Sequence, residues 1–164
     1  MAIVLLKLLI LGALTSCASK GHWKHSHMST GTSEFSSSKL SYMFPDPNNS
    51  IQLEIFRTEK HYRGYLSVQS HPIVPSQNDP QKALVYFQIQ EESFSFLATR
   101  HQGGHRVLLP EEALEKILEA LLQNVEVTLE TSGYRTKINP EGFSSNYTKF
   151  QNPSKFPKLI QLPL

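Results

Sequence analysis

Apolar and polar side chains alternate along much of this chain, and that alternation restricts the possible fold more than any other feature. A strand with one buried face places successive side chains on opposite sides, so its hydrophobic period is two. Ile51, Leu53 and Ile55 show this period, separated by Gln52 and Glu54. The same period recurs in five further stretches: 62–68, 83–90, 93–100, 125–131 and 134–138. The pattern predicts a folded unit built mainly of strands.

Turn-forming residues between these stretches indicate that neighbouring strands pair as hairpins. Glu91-Glu92 connects two adjacent stretches, and Ser132-Gly133 connects the last two. Three prolines, at 72, 75 and 80, interrupt the alternation and predict a loop there. Short connections of this kind favour antiparallel pairing, because parallel strands need long crossovers.

One stretch has helical spacing instead. Pro110 stands at its start, and the carboxylates of Glu111 and Glu112 suit the positive end of a helix dipole. Apolar side chains then follow at intervals of three and four residues: Leu114, Ile117, Leu118, Leu121 and Leu122. We predict an α+β fold: a mostly antiparallel sheet of hairpins with one amphipathic helix, about 110–123, followed by a C-terminal hairpin.

The first sixteen residues have the composition of a secretory signal peptide. Lys7 is the only charged side chain in an apolar stretch, and small residues follow it towards Cys17. This order is typical of a cleaved leader. The stretch is shorter than the roughly 20 apolar residues that a membrane-spanning helix needs. Residues 1–16 are therefore predicted to be a signal peptide.

The end of this leader carries a four-residue motif, Leu14-Thr15-Ser16-Cys17. It resembles the lipobox of bacterial lipoproteins. The resemblance implies cleavage between Ser16 and Cys17, a diacylglyceryl thioether on the Cys17 sulfur and acylation of its new amine. Ala18 in place of an aspartate implies, for this family, delivery to the outer membrane. Two or more acyl chains give stable anchoring, whereas one gives only marginal membrane binding.

Two other interpretations of the leader stay open. Ser16-Cys17-Ala18 also fits an ordinary small-x-small cleavage site, which would release a soluble secreted protein. Alternatively, the segment is an N-terminal hydrophobic helix in which the cysteine is incidental. Because the chain has a single cysteine, an internal disulfide and a Cys-rich metal site are excluded in all three interpretations.

Composition predicts the division of the remaining chain. Residues 17–38 are rich in Ser and Thr, contain few large apolar groups and are expected to form a flexible tether behind the anchored cysteine. The alternating strands and the helix place a single α+β domain at 39–150. Residues 151–164 contain prolines among apolar residues and are expected to form an extended C-terminal tail.

The histidines are the residues with the clearest potential for metal chemistry. His22, His25 and His27 lie close together in the sequence, and neutral imidazoles at this spacing can bind Zn(II), Cu(II) or Ni(II). Without a carboxylate beside them to orient the rings, the cluster is a weaker explanation than incidental surface side chains.

No short sequence motif identifies a reaction. The G-x-S-x-G, HExxH, phosphate-loop and dinucleotide signatures do not occur, so no cofactor is expected. The net charge of +2 argues against general nucleic-acid binding. We expect a lipid-anchored bacterial envelope protein whose small non-catalytic domain binds or scaffolds a protein or other envelope partner. The alternatives are a hydrolase-type envelope enzyme without a short motif and a metal-binding surface lipoprotein that uses the three histidines.

Overall fold

The computed structural model describes residues 21–28, 37–44, 46, 48–58 and 61–152. Over these residues the chain forms nine strands and two helices. In chain order they are β1 (His22–Met28), β2 (Ser37–Met43), β3 (Gln52–Arg57), β4 (Tyr62–Ser67), β5 (Lys82–Ile89), β6 (Glu92–Arg100), β7 (Arg106–Leu108), α1 (Glu111–Leu122), β8 (Val127–Thr131), β9 (Tyr134–Ile138) and α2 (Phe143–Gln151).

All nine strands belong to one sheet, with the spatial order β1-β2-β3-β4-β7-β6-β5-β8-β9. Every neighbouring pair in this order is antiparallel. The α+β class with a mostly antiparallel sheet is thus confirmed. The short strand β7 links the first four strands to β6 and β5, through the pairs Leu66–Val107 and Arg100–Val107.

One face of the sheet, here called the inner face, carries the core. Leu40, Ile55, Leu66 and Val85 are fully buried there. The alternation along each strand places these residues on the same side. Helix α1 packs against this face at β4, where Gly64 makes room for it: a Cβ on Gly64 would lie 2.8 Å from Leu114 Cδ1.

Helix α2 is a second element of the helical layer, and it was not predicted from the sequence. It begins after Gly142, whose φ of 77° is a left-handed conformation that glycine adopts at little cost. Phe143 and Phe150 are fully buried, and Tyr147 packs between them. The helix reaches Gln151, one residue into the predicted C-terminal tail, whose residues 153–164 lie outside the described part.

The structure differs from the predicted flexible tether at 17–38. His22–Met28 form β1, which pairs with β2 along its whole length. Backbone hydrogen bonds to β2 hold this polar segment, and Trp23 anchors it in the core with 6% of its surface exposed. Strand β2 likewise begins at Ser37, before the predicted domain boundary at 39. Residues 17–20 and 29–36 lie outside the described residues.

Side-chain hydrogen bonds connect the two ends of the sheet. β1 and β9 stand at opposite ends of the strand order, yet the Trp23 indole N–H donates to the Asn139 carbonyl at 2.9 Å. The Asn139 N–H donates to the Tyr42 hydroxyl at 3.1 Å, and the Ile51 N–H donates to Thr136 Oγ1 at 2.8 Å. These bonds tie β9 across the ends of β1, β2 and β3, and they make β1 part of the folded unit.

Candidate functional site

The outer face of β2, β3, β4 and β7 carries a cluster of charged and aromatic side chains around Glu54, here called the Glu54 cluster. Its members are Lys39, Glu54, Phe56, Tyr65 and Arg106. The Glu54 carboxylate accepts from Lys39 Nζ at 2.9 Å and pairs with Arg106 Nη2 at 3.1 Å. The Glu54 side chain is only 12% exposed, whereas the two cations are each 37% exposed. Two partly exposed cations therefore share one largely buried carboxylate.

Aromatic rings fix the position of the Arg106 guanidinium. Its central carbon lies 4.0 Å from the Tyr65 ring centroid and 5.3 Å from the Phe56 centroid. The two rings meet edge to face at 5.6 Å, and His101 contacts Tyr65 at 5.5 Å. Cation–aromatic contacts of this kind hold a guanidinium while leaving part of it accessible. Sequence reasoning missed this cluster because strand β7 was not predicted.

Additional basic residues share this outer face. Lys24 on β1 and Arg63 on β4 are both exposed. The register places Lys24 beside Ser41 and Arg63 beside Phe56, on the same side as Glu54. We call Lys24, Lys39, Arg63 and Arg106 the basic face. Among the outward positions of β1, β2, β3, β4 and β7, Glu54 is the only acidic residue, so the face carries an excess of positive charge.

The three sequence-predicted histidines are not brought together. Strand alternation places His25 and His27 on the inner side of β1 and His22 on the opposite side. In the described part of the chain, no group of three or more His, Cys, Asp or Glu side chains is placed to hold a metal ion. The arrangement of β1 therefore gives no support to a three-histidine metal site.

His25 instead forms part of the contact between β1 and α2. Its ring meets Phe150 edge to face at 6.5 Å, and its buried Nε2 atom has no hydrogen-bond partner among the described residues. Burial lowers the pKa of His25 below its usual value, and the nearby His27 and Lys149 act in the same direction. His27 is exposed, and its Nδ1 lies 3.0 Å from the buried Ser38 hydroxyl.

A second part of the outer face is apolar. Leu84 and Leu97 are directly opposed on β5 and β6, and with the neighbouring Tyr86 they remain exposed. Beside Tyr86 is a shallow depression of about 260 Å³, whose other lining includes Glu130 and Arg135. These two charged side chains pair across it at 3.7 Å. Their mutual neutralisation leaves the depression without a net charge to select a ligand.

The predicted lipidation and cleavage residues, Cys17 and Ser16, lie outside the described residues. Over the part that the structure does describe, no helix is long and apolar enough to cross a membrane. No protein-family model, curated protein or solved structure matches this chain.

Proposed function

We propose that this protein is a bacterial lipoprotein, anchored in the cell envelope through acylated Cys17, whose α+β domain serves as a binding or scaffolding module. The observation that carries the proposal is the Leu14-Thr15-Ser16-Cys17 motif at the end of an apolar leader. Its position relative to the fold supports it: β1 begins at His22, five residues after Cys17. Cleavage before Cys17 would remove the leader and leave every described strand and helix intact.

The proposed folded unit runs from about residue 21 to residue 152 and is longer than the 39–150 expected from composition. Trp23 at one end and Phe150 at the other support these limits, since both are buried. The proposal retains the hairpin organisation of the sheet. Continuous antiparallel pairing of β5 with β6 and of β8 with β9 supports it.

The binding or scaffolding role is supported by the way the outer face is built. In the Glu54 cluster, the two cations are held by one carboxylate and by two aromatic rings, so their positions are fixed before any partner arrives. A surface with preset charge positions loses little side-chain entropy when it binds. We propose a partner within the envelope and no nucleic-acid ligand.

The anchor is tested by replacing Cys17 with alanine in cells supplied with labelled fatty acid. The wild-type protein is expected to incorporate the label and fractionate with membranes, and Cys17→Ala is expected to lose both properties. Ser16→Ala is the matched control, because alanine is also a small residue and should leave processing and labelling unchanged. An unlabelled wild-type protein, or equal labelling of Cys17→Ala, would overturn the proposal.

The outer-membrane location rests on Ala18 and has its own test. In a bacterium with two membranes, the wild-type protein is expected to co-sediment with outer-membrane vesicles on a density gradient. Ala18→Asp should shift it to the inner membrane, and Ala18→Ser should not. Wild-type protein in the inner-membrane fraction would contradict the location while leaving the anchor intact.

A further inference from the structure

The connection between the proposed anchor and the fold is short. Gly21 already lies against the core, because a Cβ there would come within 2.5 Å of Tyr42 Cε1. Only four residue-to-residue steps separate Cys17 from Gly21. Even a fully extended chain covers at most about 14 Å over four such steps. If Cys17 is acylated, the domain is therefore held against the headgroup layer, and one of its faces must meet the lipid.

We propose that the basic face, Lys24, Lys39, Arg63 and Arg106, docks onto anionic phospholipid headgroups of the membrane that holds the anchor. This inference rests on the proposed function, since it takes Cys17 to be acylated. Lys24 lies on β1, three residues after Gly21, so the face begins next to the anchor. The other three residues follow on β2, β4 and β7, which continue the same side of the sheet.

The chemistry of the face fits phosphate headgroups. The exposed Lys24 and Arg63 carry N–H donors that phosphate oxygens accept. The Arg106 guanidinium, held by the Tyr65 ring and paired through Nη2 with Glu54, adds positive charge to the same surface. Half-buried Phe56 and Tyr65 lie beside the cations, and tyrosine is enriched at the depth of lipid headgroups. The one acid, Glu54, is already paired with Lys39 and Arg106 and is mostly shielded from the lipid.

The opposite side of the molecule has the wrong charge for this role. Helix α1, which covers the inner face, carries Glu111, Glu112, Glu115 and Glu119 and only one cation, Lys116; with Lys149 on α2, the two helices carry four carboxylates and two cations. An anionic membrane surface repels such a helix and attracts the basic face. The two layers therefore favour one orientation, with the sheet towards the lipid and α1 away from it.

The test uses the acylated mature protein reconstituted into vesicles. One set contains only phosphatidylcholine, and the other contains equal parts of phosphatidylcholine and phosphatidylglycerol. Flotation of the protein together with the vesicles shows that the lipid anchor is inserted. The rates at which an amine-acetylating reagent modifies individual lysines, measured by peptide mass spectrometry, report docking. Lys24 and Lys39 are expected to be protected only in the anionic vesicles and to lose protection at high salt, while the exposed Lys149 on α2 stays reactive in both.

Charge reversal at Arg63 measures how much one residue of the basic face contributes to docking. Each basic residue near an anionic surface contributes about fivefold to membrane partitioning, equivalent to about 1 kcal/mol. Arg63→Glu is therefore expected to weaken docking by roughly 25-fold, since it removes one cation and adds one anion. Lys149→Glu changes net charge equally on the helical side and should leave the protection of Lys24 and Lys39 in place.

The outcomes separate this inference from the proposed function. If the wild-type protein does not float with either vesicle, the anchor itself fails. If it floats but Lys24 and Lys39 react equally in both vesicles, the anchor stands and docking of the basic face is overturned. Protection that also appears in detergent without lipid, and that rises with protein concentration, would assign the face to a second copy of the chain and equally overturn the proposal.

Discussion

Replacing Trp23 with alanine is expected to destabilise the whole folded unit, although the residue lies in a segment whose composition predicts a flexible tether. The indole is 6% exposed and packs against Phe143 at 4.8 Å and Tyr42 at 5.0 Å between ring centroids. Its N–H donates to the Asn139 carbonyl at 2.9 Å. One side chain thus joins β1 to β2, α2 and the end of β9.

The expected loss follows from these contacts. Truncation of a buried aromatic side chain to alanine costs about 3–5 kcal/mol, including the cavity that it leaves. That is a large fraction of the roughly 5–15 kcal/mol by which domains are stable. Trp23→Phe keeps an aromatic ring but leaves the Asn139 carbonyl without its donor, which should cost about 1–2 kcal/mol. Lys24→Ala, at the next and outward-facing position, should stay within about 0.5 kcal/mol of wild type.

Urea unfolding monitored by far-ultraviolet circular dichroism measures these differences without using the tryptophan signal. Trp23 is the only tryptophan in the chain, so its fluorescence provides an independent check on the wild-type protein. A blue-shifted emission that moves to longer wavelength on unfolding is expected. Emission like that of free tryptophan in native buffer, or a Trp23→Ala variant as stable as Lys24→Ala, would refute the placement of β1 in the core.

Three further predictions concern the packing, the ion cluster and the pH response. Gly64→Ala should lower the free energy of unfolding by about 1–3 kcal/mol, because the new methyl group would overlap Leu114. Unfolding midpoints in urea measure this loss. Glu54→Gln should lower the free energy of unfolding by about 1–2 kcal/mol at low salt, a value between those of exposed and buried ion pairs. A loss that does not depend on salt concentration would contradict an origin in the ion pairs. Folding lowers the pKa of His25, so this histidine binds a proton more readily in the unfolded chain than in the folded one. Stability should therefore fall as the pH drops below the ordinary histidine pKa of about 6.5, and it should level off below the pKa of His25 in the folded state. His25→Leu should show a smaller fall than wild type across that range in urea melts, and an equal fall would exclude His25 as its source.

Helix α1 could be predicted from the sequence because the residues that indicate its start and its buried side all lie in the helix or directly before it. Pro110 and the acids after it define the start, and the spacing of Leu114, Ile117 and Leu121 defines the buried side. Helix α2 has a weaker version of the same signal. Phe143, Tyr147 and Phe150 stand at helical spacing, but the intervening residues are polar and favour caps and turns as readily as helices.

Strand β1 could not be predicted from its own residues. Its inward positions hold Trp23, His25 and His27, so only one of the three is strongly apolar. What stabilises it is backbone pairing with β2 and a contact with Asn139, which lies far along the chain. A period-two pattern detects burial against a core, and it does not detect an edge strand held mainly by its neighbour.

The Glu54 cluster could not be predicted from the sequence for a related reason. Glu54 and Arg106 come together only because β4 pairs with β7 rather than with β5, and β7 is three residues long. A three-residue strand that pairs with a strand distant in the sequence gives little local signal. The basic face therefore depends on a strand order that the spacing of residues in the sequence does not determine.

The most direct test of the proposed anchor is the mass of the N-terminal peptide of the protein extracted from membranes of its own host. We predict a peptide that begins at Cys17 and carries the added mass of a diacylglyceryl group on sulfur and a fatty acyl group on the amine. A peptide that begins at Cys17 or a later residue without lipid, or one that still contains Leu14, Thr15 and Ser16, would contradict it.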